Sequence, residues 1–158
     1  MTTSIRRILL AEDDPNDVEL TLTALKDHAM VNEVDVVRDG AEALDYLFCR
    51  GAHAGRSTGM PAVVLLDIKM PKVDGMEVLR QLKTDPRMAM VPVVMLTSSR
   101  EERDLVESYR LGASAFVVKP VDLSAFIDAV KQVGVFWAVV NEPPPAHLTR
   151  VAGDCLKQ

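Results

Sequence analysis

Cysteine is scarce in this chain of 158 residues, with only Cys49 and Cys155, and neither belongs to a Cys-x-x-Cys pair. That argues against a disulfide framework, and free thiols in a reducing cytoplasm are expected. The three histidines, His28, His53 and His147, are scattered without metal-ligand spacing, which argues against a zinc site. Positive charge is in deficit: 18 Lys and Arg face 23 Asp and Glu, for a net charge of −5. No stretch reads as a basic recognition helix, so a nucleic-acid-binding surface is not expected. There is no apolar run long enough to span a membrane. The start, Met1-Thr2-Thr3-Ser4-Ile5-Arg6-Arg7, lacks the apolar segment and cleavage site of a secretory signal. Internal repeats are absent. The glycines of the Arg50–Gly59 stretch lack the GxxxxGK[ST] spacing of a phosphate loop, which leaves that stretch as a polar surface loop.

What is present is an ordinary globular composition, 48% apolar and 26% charged, of a length suited to one domain with a real core. The central stretch is Val63-Val64-Leu65-Leu66-Asp67-Ile68-Lys69-Met70-Pro71. Its continuous β-branched and leucine run reads as a strand buried on both faces, and Asp67 falls where that strand leaves the core. An acid there is costly unless something pairs with it or uses it.

Further strands are read at Arg6–Ala11, Glu33–Val37, Val91–Leu96 and Ala115–Val118. Between them lie helical patterns. Asp14 is a suitable N-cap with Pro15 at the first helical position, followed by Val18, Leu22 and Leu25 at helical spacing. Asp39-Gly40-Ala41-Glu42, Asp74-Gly75-Met76-Glu77 and Ser99-Arg100-Glu101-Glu102 have the form of capping boxes that open the second, third and fourth helices. Gly112 suits a left-handed cap at the end of the fourth. Asp122 caps a fifth helix, which runs through Phe126, Val130 and Trp137 to about Asn141, where Glu142-Pro143-Pro144-Pro145 ends it. The expected organisation is a single domain over 1–141 and a proline-containing tail over 142–158, with no effector domain. Five strands alternating with five helices predict an α/β fold, a doubly wound parallel sheet with helices on both faces.

In such sheets ligands bind outside the carboxyl ends of the strands. Strand 1 delivers Glu12 and Asp13 to that edge, strand 3 Asp67, strand 4 Thr97 and strand 5 Lys119. Three carboxylates together invite a hard divalent cation such as Mg²⁺. A carboxylate beside that ion is a plausible nucleophile toward phosphorus. The cation, the Lys119 ammonium and the Thr97 hydroxyl or a nearby backbone N–H could stabilise the equatorial oxygens of a transferring phosphoryl group. Lys119 is also able to pair with Asp67 at rest, and the Lys119-Pro120 bond is a possible cis peptide.

The motifs Leu10-Ala11-Glu12-Asp13-Asp14, Leu65-Leu66-Asp67-Ile68-Lys69-Met70-Pro71-Lys72-Val73-Asp74-Gly75, Met95-Leu96-Thr97-Ser98 and Gly112-Ala113-Ser114-Ala115-Phe116-Val117-Val118-Lys119-Pro120 resemble the receiver domain of two-component response regulators, from about Arg6 to Val133. The resemblance implies a flavodoxin-like (βα)5 sheet of strand order 2-1-3-4-5. It implies that Asp67 accepts phosphate from a sensor histidine kinase in a Mg²⁺-dependent reaction. Asp13 then binds the ion directly, Glu12 mainly through water, and the Lys69 carbonyl is a further ligand. Thr97 and Phe116 form the switch pair, and Lys119 contacts the phosphate. Glu12 stands where aspartate is commoner. The Arg50–Gly59 loop and the extension through Trp137 and Asn141-Glu142-Pro143-Pro144 resemble the stand-alone regulators that partner phytochromes. That likeness implies a bacteriophytochrome partner and a homodimer through the fourth helix, strand 5, the fifth helix and the C-terminal extension.

Alternatives stand beside this. Trp137 is either an intramolecular packing residue or an interface residue, and the tail is either a loose end or an arm that reaches a second subunit. A phosphohydrolase of the haloacid dehalogenase kind is disfavoured, because Lys69 occupies the position of its second aspartate. A phosphate-independent interaction module is disfavoured by the joint presence of Asp13, Asp67, Thr97 and Lys119.

Overall fold

The computed structural model describes residues 7–26, 33–56, 59–98, 107, 109–113 and 115–132. Five parallel strands form one sheet: β1 Ile8–Ala11, β2 Val34–Val37, β3 Val63–Asp67, β4 Val93–Thr97 and β5 Ala115–Val118. Their order is β2-β1-β3-β4-β5. Four helices are described: α1 Pro15–Lys26, α2 Gly40–Phe48, α3 Gly75–Thr84 and α4 Leu123–Gln132. The last is the fifth helix of the sequence pattern. The capping box of the fourth helix, Ser99 to Glu102, lies outside the described residues, as do Trp137, the tail and the expected extension of the last helix to Asn141.

Alternation along the strands builds two cores. Leu9, Ala11, Val64, Leu66 and Met95 face one side, against Ala43, Leu44 and Leu47 of α2 and Val78, Leu79 and Leu82 of α3. Ile8, Leu10, Val63, Leu65, Val94 and Leu96 face the other, against Val18 and Leu25 of α1 and Phe126, Ala129 and Val130 of α4. Both faces of the central strands are thus buried, which is why β1, β3 and β4 read as unbroken apolar runs. The flavodoxin-like arrangement is the one expected.

The helix starts follow the caps. Asp14 Oδ1 accepts from the N–H groups of Asn16 and Asp17. Asp39 accepts from the Glu42 N–H, Asp74 from the Glu77 N–H and Asp122 from the Ala125 N–H. The two capping boxes among the described residues are only half made. Glu42 accepts from the Arg38 N–H instead of the cap residue, and Glu77 turns to Arg80 and Gln81. β4 begins one residue past Pro92, which has no N–H to give the ladder; its carbonyl accepts from the Val64 N–H at 3.0 Å.

The Arg50–Gly59 loop is more tied down than a polar surface loop. It contains a 3₁₀ turn, Gly51–His53. The half-buried Arg56 donates to the Tyr46 carbonyl at 2.9 and 2.6 Å and to the Gly59 carbonyl at 2.5 Å, and its guanidinium lies 4.0 Å from the Tyr46 ring centroid.

Candidate functional site

Four strands deliver the predicted side chains to one edge of the sheet. β1 lies between β2 and β3, where the strand order reverses, which is the position at which open α/β sheets bind ligands. Glu12 and Asp13 follow β1. The Glu12 N–H donates to the Val37 carbonyl at 3.0 Å, which fixes the exit of the strand. The Glu12 side chain is 1% exposed and Asp13 is exposed. Asp67 is the last residue of β3 and Thr97 the last of β4, both buried. Lys119 follows β5, and its N–H donates to the Thr97 carbonyl at 2.8 Å. The Lys119-Pro120 peptide is cis. One carboxylate oxygen from each of Glu12, Asp13 and Asp67 lies within 4.8 Å of the others.

Lys119 Nζ crosses this edge. It donates to Glu12 Oε1 at 2.8 Å and to Asp17 Oδ2 at 2.9 Å, and it lies 3.3 Å from Asp67 Oδ2. The expected resting pair with Asp67 is therefore present, but it is the longest of three. Asp17 was not foreseen. It sits in the first turn of α1, where an acid is accounted for by the helix dipole alone. The one signal available was its place at the end of an acidic run from Glu12 to Asp17.

Burial pushes the Asp67 carboxyl up from 3.8 to about 7; the Glu12 charge adds to the push and Lys119 opposes it. For Lys119, burial works against the charge. The hydrogen bonds to Glu12 and Asp17 and the charge of Asp67 outweigh it and hold the ammonium above its ordinary range. Negative charge is in excess at the edge, and the donors are all oxygen. Such a set fits a small hard divalent cation, with Glu12, Asp13 and Asp67 to hold it.

Phe116 behaves differently from the others. It is half-buried against the α2–α3 side of the core, and its ring meets that of Tyr109 edge-on at 4.6 Å between centroids. Tyr109 is 59% exposed, so the pair links the core to the surface. Lys69 lies two residues past Asp67 and is exposed.

The model of the response regulator receiver domain matches residues 8–131. The chain belongs to the response regulator receiver domain family. It is thus a receiver of two-component signalling. Among curated relatives it is 35% identical over 137 residues to the probable methanogenesis regulatory protein FilR2 of Methanothrix harundinacea, covering 87% of this chain and 86% of that one. It is 35% identical over 139 residues to the response regulator Rcp1 of Synechocystis, covering 88% and 93%. Among solved structures it is similar to the bacteriophytochrome response regulator AtBRR, with 58% identity, a TM-score of 0.81 and coverage of 89% and 100%. It also resembles the Mn²⁺-bound form of Rcp1, with 33% identity, a TM-score of 0.71 and coverage of 89% and 99%. This receiver therefore shares its fold and most of its length with phytochrome response regulators. Among its described residues no helix is long and apolar enough to cross a membrane.

Proposed function

We propose that this receiver, spanning 1–141, is a phosphoacceptor switch whose Asp67 takes a phosphoryl group from a sensor histidine kinase in the cytoplasm, and that the kinase is a bacteriophytochrome. The observation that carries the reading is the convergence of Glu12, Asp13, Asp67 and Lys119 at the reversal point of the strand order. A Mg²⁺ ion held by Glu12, Asp13, Asp67 and the Lys69 carbonyl would supply charge neutralisation for the incoming phosphoryl group. The residues of the chain do the rest. An Asp67 carboxylate oxygen attacks phosphorus, a P–O bond forms, and the P–N bond to the donor imidazole breaks, with the electron pair going to the imidazole nitrogen, which takes a proton from solvent. Lys119 pairs with one phosphoryl oxygen and the Thr97 hydroxyl donates to another. Similarity to AtBRR supports the bacteriophytochrome partner, and the Mn²⁺-bound Rcp1 supports a divalent ion.

Output follows from a changed surface. Thr97 and Phe116 shift inward together, and Tyr109 carries that movement to the face formed by the fourth helix, β5 and α4. We place the homodimer contact on that face, with Trp137 of the extension joining it. The protein modifies itself once per phosphodonor and is not a turnover enzyme.

The test is incubation with acetyl phosphate, with and without Mg²⁺, read on a phosphate-affinity gel beside Asp67→Asn. A shifted band that needs both Mg²⁺ and Asp67 is expected. An equal shift in Asp67→Asn, or no shift from acetyl phosphate or a phosphorylated bacteriophytochrome kinase, would overturn the reading.

A further inference from the structure

We infer that Asp17 is a positioning residue for Lys119, holding the ammonium on the α1 side of the site and competing for it with the group bound at Asp67. The inference rests on the reading of Asp67 as phosphoacceptor. An ammonium has three N–H donors and no more. Three carboxylates surround this one: it donates to Glu12 at 2.8 Å and to Asp17 at 2.9 Å, and Asp67 lies 3.3 Å away. A phosphoryl group on Asp67 can take the donor that faces Asp67, and any further donor must be withdrawn from Glu12 or Asp17.

The three acceptors are not equivalent. Glu12 and Asp67 belong to the trio whose oxygens lie within 4.8 Å of one another and suit a cation, while Asp17 lies outside it. A cation that engages Glu12 and Asp67 leaves Asp17 as the carboxylate free to keep Lys119. Asp17 is also held in place, because its N–H donates to Asp14 Oδ1, the acceptor that caps α1. Its side chain is 30% exposed against 9% for Lys119, so the pair is screened only in part. The bland account, an acid that complements the helix N-terminus, leaves unexplained why its carboxylate reaches a lysine 102 positions away.

Removing the charge of Asp17 should therefore release Lys119 toward the group on Asp67. The probe is beryllofluoride, a phosphoryl mimic, titrated in the presence of Mg²⁺ and followed by ¹⁹F NMR. Asp17→Asn is expected to bind it about five-fold more tightly than wild type, the scale of a partly screened ion pair to a buried lysine. Asp17→Glu should return toward wild type. Glu19→Gln removes the same charge from an exposed position on the same helix and should leave binding unchanged. In metal-free protein the side-chain ¹⁵N signal of Lys119 should shift in Asp17→Asn and recover in Asp17→Glu.

Unchanged or weaker binding by Asp17→Asn, with wild type binding and Asp67→Asn not, would overturn the role of Asp17 and leave the phosphoacceptor reading intact. Equal tightening by Glu19→Gln would reduce the effect to general charge and overturn it as well. Failure of wild type to bind beryllofluoride through Asp67 would overturn both.

Discussion

Asp67 is buried at the end of β3 beside the charges of Glu12 and Lys119. Its carboxyl is raised to about 7 by burial and by Glu12, against 3.8 for an unperturbed group. Between those two values the folded chain holds a proton that the unfolded chain has lost. The stabilisation this proton represents is complete below about pH 4 and disappears as pH rises through about 7. Metal-free wild type should therefore lose stability relative to Asp67→Asn as pH goes from 5 to 8, measured by urea midpoints in the presence of a chelator. Parallel pH profiles for the two proteins would count against the raised carboxyl. A cation competes with the same proton, so Mg²⁺ affinity should rise over that range, with proton release detectable by calorimetry in buffers of different ionisation heat. Lys119 supplies a second test. Truncation to Ala leaves the buried Glu12 and Asp67 without their cation, a loss that in other buried pairs costs about 3–5 kcal/mol. Added Mg²⁺ should restore part of it, and equal Tm values with and without chelator would contradict this. Glu12, Asp67, Thr97 and Lys119 were legible in the sequence because each ends an apolar run. Asp17 was not, because its partner is fixed by the pairing of strands and helices far apart in the chain.

At the scale of elements, β3 and α3 are locked together by the loop that follows Asp67. Gly75 opens α3, and its N–H donates to the Ile68 carbonyl at 2.8 Å. A Cβ added there would lie 2.0 Å from the Asp67 carbonyl oxygen, closer than real contacts allow. Gly75→Ala must displace either α3 or the end of β3 that carries the site. A loss of about 1–3 kcal/mol is expected, as for overpacking elsewhere, together with slower phosphorylation from acetyl phosphate. Gly55→Ala is the control, since nothing lies within 4 Å of a Cβ there; it should change stability by less than about 0.5 kcal/mol. Urea denaturation of the two variants decides the matter, and equal midpoints would contradict the packing argument. The helix starts were legible from Asp39, Asp74 and Asp122, whose short side chains have few other uses in front of an apolar pattern. The fate of Glu42 and Glu77 was not: the capping boxes predict a returning bond to the cap residue that neither makes, because longer arms choose among several nearby donors. The tethering of the Arg50–Gly59 loop was hidden for a related reason. Arg56 binds backbone carbonyls, and a sequence does not distinguish one carbonyl from another.

For the whole molecule, the sheet order places β5 at one edge and β3, which carries Asp67, at the centre, with β4 between them. Any signal from Asp67 to the β5 side must cross one strand. Thr97 ends the strand that is crossed, and Phe116 lies on the strand beyond it, where it is the register partner of Met95. Beyond Phe116 the next group is Tyr109, whose ring is edge-on to it and mostly exposed. Val118, the last residue of β5, is 38% exposed on the same edge strand. An exposed tyrosine seated on a half-buried phenylalanine is the kind of amphipathic anchor that interfaces favour. Tyr109→Ala removes the anchor without touching Glu12, Asp13, Asp67 or Lys119. If the dimer forms on this face, the variant should weaken self-association by about ten-fold or more, the scale of an interface hot spot. Phosphorylation by acetyl phosphate should persist if Asp67 is the acceptor, because Tyr109 is not among the groups gathered around Asp67. Light scattering over a concentration series, on phosphorylated and unphosphorylated protein, separates the two properties. Dimer constants equal to wild type in both states would place the interface elsewhere. Loss of phosphorylation together with association would show instead that Tyr109 holds the site in shape, so that its ring belongs to the core and not to the surface.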